Sequence, residues 1–373
     1  MSEVLSSIGQ PDSYQKMFIK VESGIVDLVL QPQRSRKRER AIDVLVELMV
    51  SSRKNYHKIY IKCPLSNEEQ TRLQGILDEN SWREFLKLQK ERFDIEGFIS
   101  ILEVYVIVTT RKKNTREGKI LYLNPIDDSE FLLNIKTYIA AENHRDVKLY
   151  QFIFDEFKRF NHMSNMSSSF NIWNGGGSDF GNALMADDVL NRNFVFAIAD
   201  SDKHFPLGKI GNTAKGIKFI THTRHNADFY ILNDVMEAEN LIPHEIVQDI
   251  NPEILKLISF DLSYFDYKDG LKYIYLYDKN AREYWKSNFN GLNINWDLIE
   301  NLIQGKSLND YCKEVRNKST LVPGFGRKLL DLVLNNEKWN SISEKDLTEA
   351  QLKEWRTLGR KLFSWTCCSK NRL

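Results

Sequence analysis

The sequence has no Cys-x-x-Cys pair. Its four cysteines are Cys63, Cys312 and the adjacent Cys367 and Cys368. Zinc clusters are usually built on short-spaced cysteine and histidine pairs, and adjacent cysteines seldom bond to each other. Neither a zinc cluster nor a disulfide framework is expected. Long apolar runs are also missing: the longest, such as residues 194–199 (FVFAIA), fall far short of the ~20 residues a membrane span needs. The opening segment MSEVLSSIGQPDSYQKM lacks the charged-then-apolar layout of a secretion signal, so a cytoplasmic protein is expected. No G-x-x-x-x-G-K-S/T run occurs, which excludes a P-loop. Charge of one sign is not in excess either: 52 Lys and Arg stand against 51 Asp and Glu, a net +1. Such a total neither requires nor excludes a local basic surface. No internal repeat is visible.

What is present suits a folded, soluble chain. With 373 residues, 42% hydrophobic and 12% aromatic, it is long enough for two or three domains with a sizeable core. Three regions are expected, with boundaries at 1–133, 134–250 and 251–373. The first is α+β: RSRKRER at 34–40 leads into a buried helix (AIDVLVELMV), followed by a strand at 58–62 (KIYIK). Residues 103–109 (EVYVIVT) and 119–123 (KILYL) are expected to form a hairpin across the polar turn RKKNTREG. The basic run is either a solvated segment or a nucleic-acid contact.

The second region alternates strand and helix. Strands are expected at 137–141, 170–173, 194–199, 217–221 and 229–232. A helix is expected over 146–160, where Val147, Tyr150, Ile153, Phe154 and Phe157 share one face. Ser178 is placed to cap a helix that starts with FGNALMADDVL. This order predicts a parallel sheet with crossover helices, an α/β core. The third region is mostly helical, including WDLIENLI, FGRKLLDLVL and a last helix over 349–365 that carries Trp355 and Trp365 as core or interface residues.

Ligands of open parallel sheets collect at the carboxyl ends of the strands. Here those ends carry Glu142, the Gly175–Gly176–Gly177 loop, Asp200 and Asp202, and Glu237 and Glu239. Carboxylates brought together repel one another unless a cation joins them. Oxygen-only ligands suit Mg²⁺ or Mn²⁺, one or two ions, which can activate water and stabilise a leaving oxygen. The glycine loop would let backbone amides approach a phosphate.

Glu142-Asn143-His144-Arg145-Asp146, the glycine loop, the D-x-D at Asp200 and Asp202, and the E-x-E-N-L at 237–241 follow one another in this order. The set resembles the TOPRIM domain of the OLD-nuclease lineage over about a third of the chain, with Asn143 in place of the usual glycine. The resemblance implies a TOPRIM core that hydrolyses phosphodiester bonds of DNA or RNA, tRNA included. It implies Glu142 as general base or metal ligand, Asp200 and Asp202 as ligands, and Glu239 on a second ion with Glu237 as the alternative. A cation near the cleaved phosphate is implied at Lys328, with Arg327 as competitor. With no P-loop in the chain, the resemblance extends to stand-alone TOPRIM effectors of anti-phage systems such as PARIS, which work with a separate ATPase. Two other readings stay open: a metal-holding module that acts by docking a partner, and a primase-like nucleotidyl transferase.

Overall fold

The computed structural model describes residues 17–369, apart from 62, 92–98, 100–101, 128–132, 134–135, 165, 169, 225 and 317–318. Two sheets dominate it, the first parallel but for one antiparallel edge strand and the second wholly parallel. The first consists of β1 (Met17–Val21), β2 (His57–Ile61), β3 (Tyr105–Val108), β4 (Thr115–Glu117) and β5 (Ile120–Leu123), in the order β2-β1-β3-β5-β4. The expected strand at 58–62 is therefore β2, and Lys62 lies outside the described residues. The first sheet is connected by helices Ser23–Val29, Arg36–Arg53, Asn67–Ile76 and Glu79–Glu91. Local signals start two of them: Ser35 accepts from the Arg38 amide, and Ser66 with Glu69 forms a capping box.

The second sheet contains β6 (Tyr138–Ala141), β8 (Asn171–Asn174), β9 (Val195–Ala199) and β10 (Ala227–Ile231), in the order β10-β9-β6-β8, all parallel. A short β7 (Met166–Ser168) pairs instead with a C-terminal strand, Cys367–Ser369. Side chains along β6 and β9 alternate between two apolar clusters. Ile139, Phe196 and Ile198 join the large core, whereas Ala140, Val195, Ala197 and Ala199 join a smaller one with Phe180 and Ile217. A strand covered on both faces is apolar throughout, which is why 194–199 is a continuous run.

The large core is continuous from Met17 to Trp365, across all three expected regions. His57 meets Phe194 edge-on at 5.4 Å, and Arg116 pairs with Asp228 at 2.9 Å, so the two sheets are in direct contact. Helix Glu349–Thr366 lies along helix His144–Phe160 and reaches β1. Trp355 and Trp365 on it are fully buried, Trp365 stacking on Phe196 at 5.6 Å. Burying aromatic side chains of this size is worth about 1.5–3 kcal/mol each.

Several expectations are corrected. Residues 105–108 and 120–123 are not a hairpin: β3 and β5 are parallel neighbours. The intervening chain passes beyond β5, descends as β4, turns at Gly118 (φ +58°) and returns as β5. The segment 217–221 is not a strand but part of helix Asn212–Thr223, with Ala214 and Ile217 buried and Lys215 and Lys218 outside. Lys328 does not lie on a helix; it precedes helix Leu329–Val333 and is exposed. Helix Phe180–Ala186 has Asp179 before it with no side-chain cap, and the Ser178 side chain lies outside the described residues. A repeat is present in topology, although not in sequence. Taken in chain order, the parallel strands of both sheets sit second, first, third, fourth.

Candidate active site

The site forms where β6, β9 and β10 end at the same edge of the second sheet. Glu142 follows β6 directly. The next residue starts the following helix. Asn143 is the N-cap of helix His144–Phe160, its Oδ1 accepting from the Arg145 amide at 3.0 Å, while Asp146 Oδ2 accepts from the Asn143 amide at 3.1 Å. This reciprocal box starts the helix and fixes the Asp146 side chain at the turn that follows Glu142.

The ends of β9 and β10 are stitched together. Asp200 Oδ1 accepts from the Ala238 amide at 2.9 Å, and the Ser201 and Asp202 amides both donate to the Met236 carbonyl, at 2.9 and 3.0 Å. Asp202 sits at φ +54°, and a Cβ on Gly211 would fall 1.9 Å from its Oδ2. Glycine at 211 therefore makes the space in which Asp202 rests. Glu237 and Glu239 lie on a buried turn held by Asn240. The Asn240 side chain accepts from the Glu237 amide and donates to the carbonyls of Leu262 and Phe265, each at 2.8 Å. Behind the turn, Gln351 donates to the Asn240 and Ile242 carbonyls and Trp355 to the Leu241 carbonyl.

A cation that sequence reasoning missed completes the cluster. Lys268 Nζ lies 3.0 Å from Glu237 Oε2 and 3.1 Å from Glu239 Oε1. Its loop is pinned by the PGFG segment: the Phe325 amide donates to the Tyr267 carbonyl at 2.6 Å, and a Cβ on Gly324 would meet the Gly270 nitrogen at 2.6 Å. The glycines near Lys328 thus serve Lys268, 60 residues earlier in the chain. Nothing in the tetrapeptide around Lys268 marks it, whereas Asp146 was legible as the last residue of the Glu142 motif.

The electrostatics show how closely these groups interact. Burial, and then Asp202 and Asp146, push the Glu142 carboxyl up to about 7. Burial and Glu239 do the same for Asp146, also to about 7. Asp200 and Glu237 are raised well above the carboxylate range by burial, with Asp146 and Glu142 acting on the former and Glu239 on the latter. Burial raises Asp202. Burial alone would lower Lys268, but Glu237, Glu239 and Asp200 overcome it and hold the ammonium above its ordinary value.

A cleft of about 460 Å³ opens on this edge, lined among others by Asp202, Glu237, Lys268, Tyr275 and Arg327. His204 also lines it, stacked on Tyr275 at 3.4 Å and held neutral near 4 by burial and Lys272. Arg327 reaches the cleft but is engaged by both oxygens of Asp269, at 3.1 and 3.2 Å. Lys328 is not among the cleft residues.

The glycine loop differs from the open amide cradle expected of it. Gly175 donates to the Ala141 carbonyl, Gly177 to the Glu142 carbonyl and Gly176 to Asn174 Oδ1, so all three amides are already used. Gly175 is needed for packing, because a Cβ there would lie 2.1 Å from the Phe180 ring.

The donor set fits a hard divalent cation in kind: it is all oxygen, and Glu142 Oε1, Glu237 Oε1 and Glu239 Oε2 are buried with no hydrogen-bond partner among the described residues. It is not a closed cage, since among the described residues no three His, Cys, Asp or Glu side chains are grouped to hold an ion. Mg²⁺ keeps several of its waters and needs only one or two direct carboxylates. No known protein family, curated protein or solved structure matches this chain. No helix among the described residues is long and apolar enough to cross a membrane.

Proposed function

We propose that this chain is a metal-dependent TOPRIM-type nuclease that hydrolyses phosphodiester bonds of DNA or RNA. One observation carries the assignment: carboxylates from three adjacent strand ends are buried together at a single sheet edge, beside an open cleft, where burial and then one another's charge raise their pKa. A bound divalent cation would relieve the repulsion that Lys268 leaves uncompensated at Glu142, Asp146 and Asp200. Glu142, Asp200, Asp202, Glu237 and Glu239 would hold Mg²⁺ or Mn²⁺. When bound, the ion would supply a nucleophilic water at neutral pH and charge stabilisation on the phosphate.

The chain's own groups divide the remaining work. Glu142 follows the inner strand β6 at this edge with its Oε1 buried and unpartnered among the described residues, which places it either to bind the ion or to take a proton from water. Asp146 holds the turn that aims it. Lys268 replaces Lys328 as the cation available to a phosphate oxygen, because it alone of the two lines the cleft. The anti-phage role and the separate ATPase partner rest on the sequence resemblance and are proposed on that ground only.

A second reading has one observation in its favour. Lys268 already neutralises Glu237 and Glu239, as it would in a module that docks a partner without chemistry. The deciding experiment compares wild type with Asp200→Asn on plasmid DNA and bulk tRNA, with Mg²⁺, Mn²⁺ or EDTA. Asparagine keeps the acceptor for the Ala238 amide and removes the charge. Metal-dependent cleavage lost at least ~100-fold in the variant is expected, in line with the loss of a charge that acts on the transition state. Equal cleavage by both proteins would overturn the assignment.

A further inference from the structure

The repeated strand order places a second rim on the molecule. In the second sheet the first and third strands, β6 and β9, end in Glu142 and Asp200. In the first sheet the corresponding strands, β1 and β3, end in Glu22 and Thr109. This is the switch point at which open parallel sheets bind ligands. The first rim carries fewer carboxylates: Glu22 Oε2 accepts from the Thr109 hydroxyl at 2.6 Å, and Thr110 and Arg111 stand where the second rim has Ser201 and Asp202.

In place of carboxylates, two basic stretches lie at this edge, both tied to the segment after β5. The run at 34–40 opens helix Arg36–Arg53, the second after β1, and its position is fixed by Arg40 Nε donating to the Pro125 carbonyl, just beyond the end of β5, at 3.0 Å. The second stretch, residues 111–113, leaves the end of β3, and Asn114, next to Lys113, accepts from the Asn124 amide. Arg34, Arg36, Arg111 and Lys113 are exposed and form no ion pair among the described residues. Two neighbours are partly offset, Lys37 by Asp127 at 4.0 Å and Lys112 by Glu117 at 2.7 Å. Four unpaired cations held along one edge by two separate connections are not needed for folding, and in water they repel one another. A polymer of phosphates relieves that repulsion.

We infer that the carboxyl edge of the first sheet, through Arg34, Arg36, Arg111 and Lys113, is a nucleic-acid backbone docking surface separate from the carboxylate site. An anionic membrane fits less well, because stable surface binding combines buried apolar area with charge. The exposed large hydrophobic side chains, such as Leu207 and Phe219, lie in neither stretch. The surface reads charge, not sequence, and needs no metal, so it stands whether or not the second rim cleaves.

The test uses the full chain with Asp200→Asn, in EDTA, to keep cleavage out of the measurement. Fluorescence anisotropy is followed with a labelled DNA duplex, the corresponding single strand and bulk tRNA, across a salt series. Changing Arg34, Arg36, Arg111 and Lys113 to Glu should weaken binding to the preferred probe at least ~10-fold. On duplex it should make the salt dependence shallower by about 3–4 in log–log slope, from ~0.9 per lost contact. Replacing the three arginines by Lys should keep affinity within about twofold, since the charge is retained. Unchanged affinity and slope in the Glu variant would overturn the inference, as would an equal loss with Lys. Binding to phosphatidylglycerol vesicles but to none of the three nucleic acids would overturn it in favour of a membrane.

Discussion

Lys268 Nζ lies 3.0 Å from Oε2 of Glu237, a carboxylate only 6% exposed, and the same ammonium reaches Glu239. One lysine thus stands where a cation is required by two buried acids. Removing it exposes what the acids need.

Lys268→Met should destabilise the metal-free protein by about 2 kcal/mol. Breaking a buried pair costs about 3–5 kcal/mol, and the figure is reduced here because the lysine side chain is over a third exposed and screened by water. Stability then becomes more dependent on divalent ion, because a ligand that binds only the folded state adds stability by mass action. Thermal melts with and without Mg²⁺ should show a larger Mg²⁺-induced rise in the variant than in wild type. Equal rises would mean that Glu237 and Glu239 do not meet the ion.

The carboxylates also set the pH response. Glu142 rises from an ordinary 4.5 to about 7, and Asp146 from 3.8 to about 7. A raised acid binds its proton more tightly folded than unfolded. The folded state therefore loses stability as pH climbs from about 4.5 through 7, the reverse of an acid held by a salt bridge. For Glu142 alone, ionisation against this shift costs about 3 kcal/mol. Urea melts of the metal-free protein should show stability falling across that window, and Glu142→Gln should flatten the fall. A stability that rises steadily from pH 5 to 7 in EDTA would show that these groups do not interact as described.

Much of this was legible in the sequence, for reasons that can be named. Strand ends of a parallel sheet share one edge by construction, so an acid after each apolar run could be assigned to that edge without coordinates. The helix His144–Phe160 followed from its apolar spacing. Lys268 was not legible, because its position depends on a contact between residues 267–268 and 325–326 that no local pattern encodes. The 217–221 error has the same origin in reverse: Ile217 and Ile220 favour a strand locally, but Ala214 and Ile217 pack as a helix face on the smaller core. The β3–β5 pairing was missed because a polar link between two strands suggests a hairpin, and β4 occupies the place that a turn would have had.

Gly211 offers a test of Asp202 without touching it. An added methyl would fall 1.9 Å from Asp202 Oδ2, and Gly211 has no positive φ to complicate the substitution. Gly211→Ala should therefore push the carboxylate aside at a fold cost of about 1–3 kcal/mol. Cleavage should fall at least ~10-fold at saturating substrate, since misplacement of a reacting group by an ångström can cost that much and more. Wild-type turnover in a folded Gly211→Ala protein would remove Asp202 from the site.

The last prediction concerns the helix that buttresses the Glu237–Glu239 turn. Gly359 sits inside helix Glu349–Thr366, where alanine would ordinarily gain up to ~1 kcal/mol in helix propensity. Here a Cβ would lie 2.2 Å from Cγ of Phe157, on the facing helix, and within 3 Å of two more atoms of that side chain. Phe157 belongs to the main core and Gly359 is buried, and core side chains have little room to yield. Overpacking should win, so Gly359→Ala is expected to lower stability by about 1–3 kcal/mol in urea melts with an unchanged slope. Adding Phe157→Leu should recover part of the loss, because the smaller side chain clears the space. Stabilisation by Gly359→Ala alone would mean that the two helices are not as close as this, and the support they give to the carboxylate turn would have to come from elsewhere.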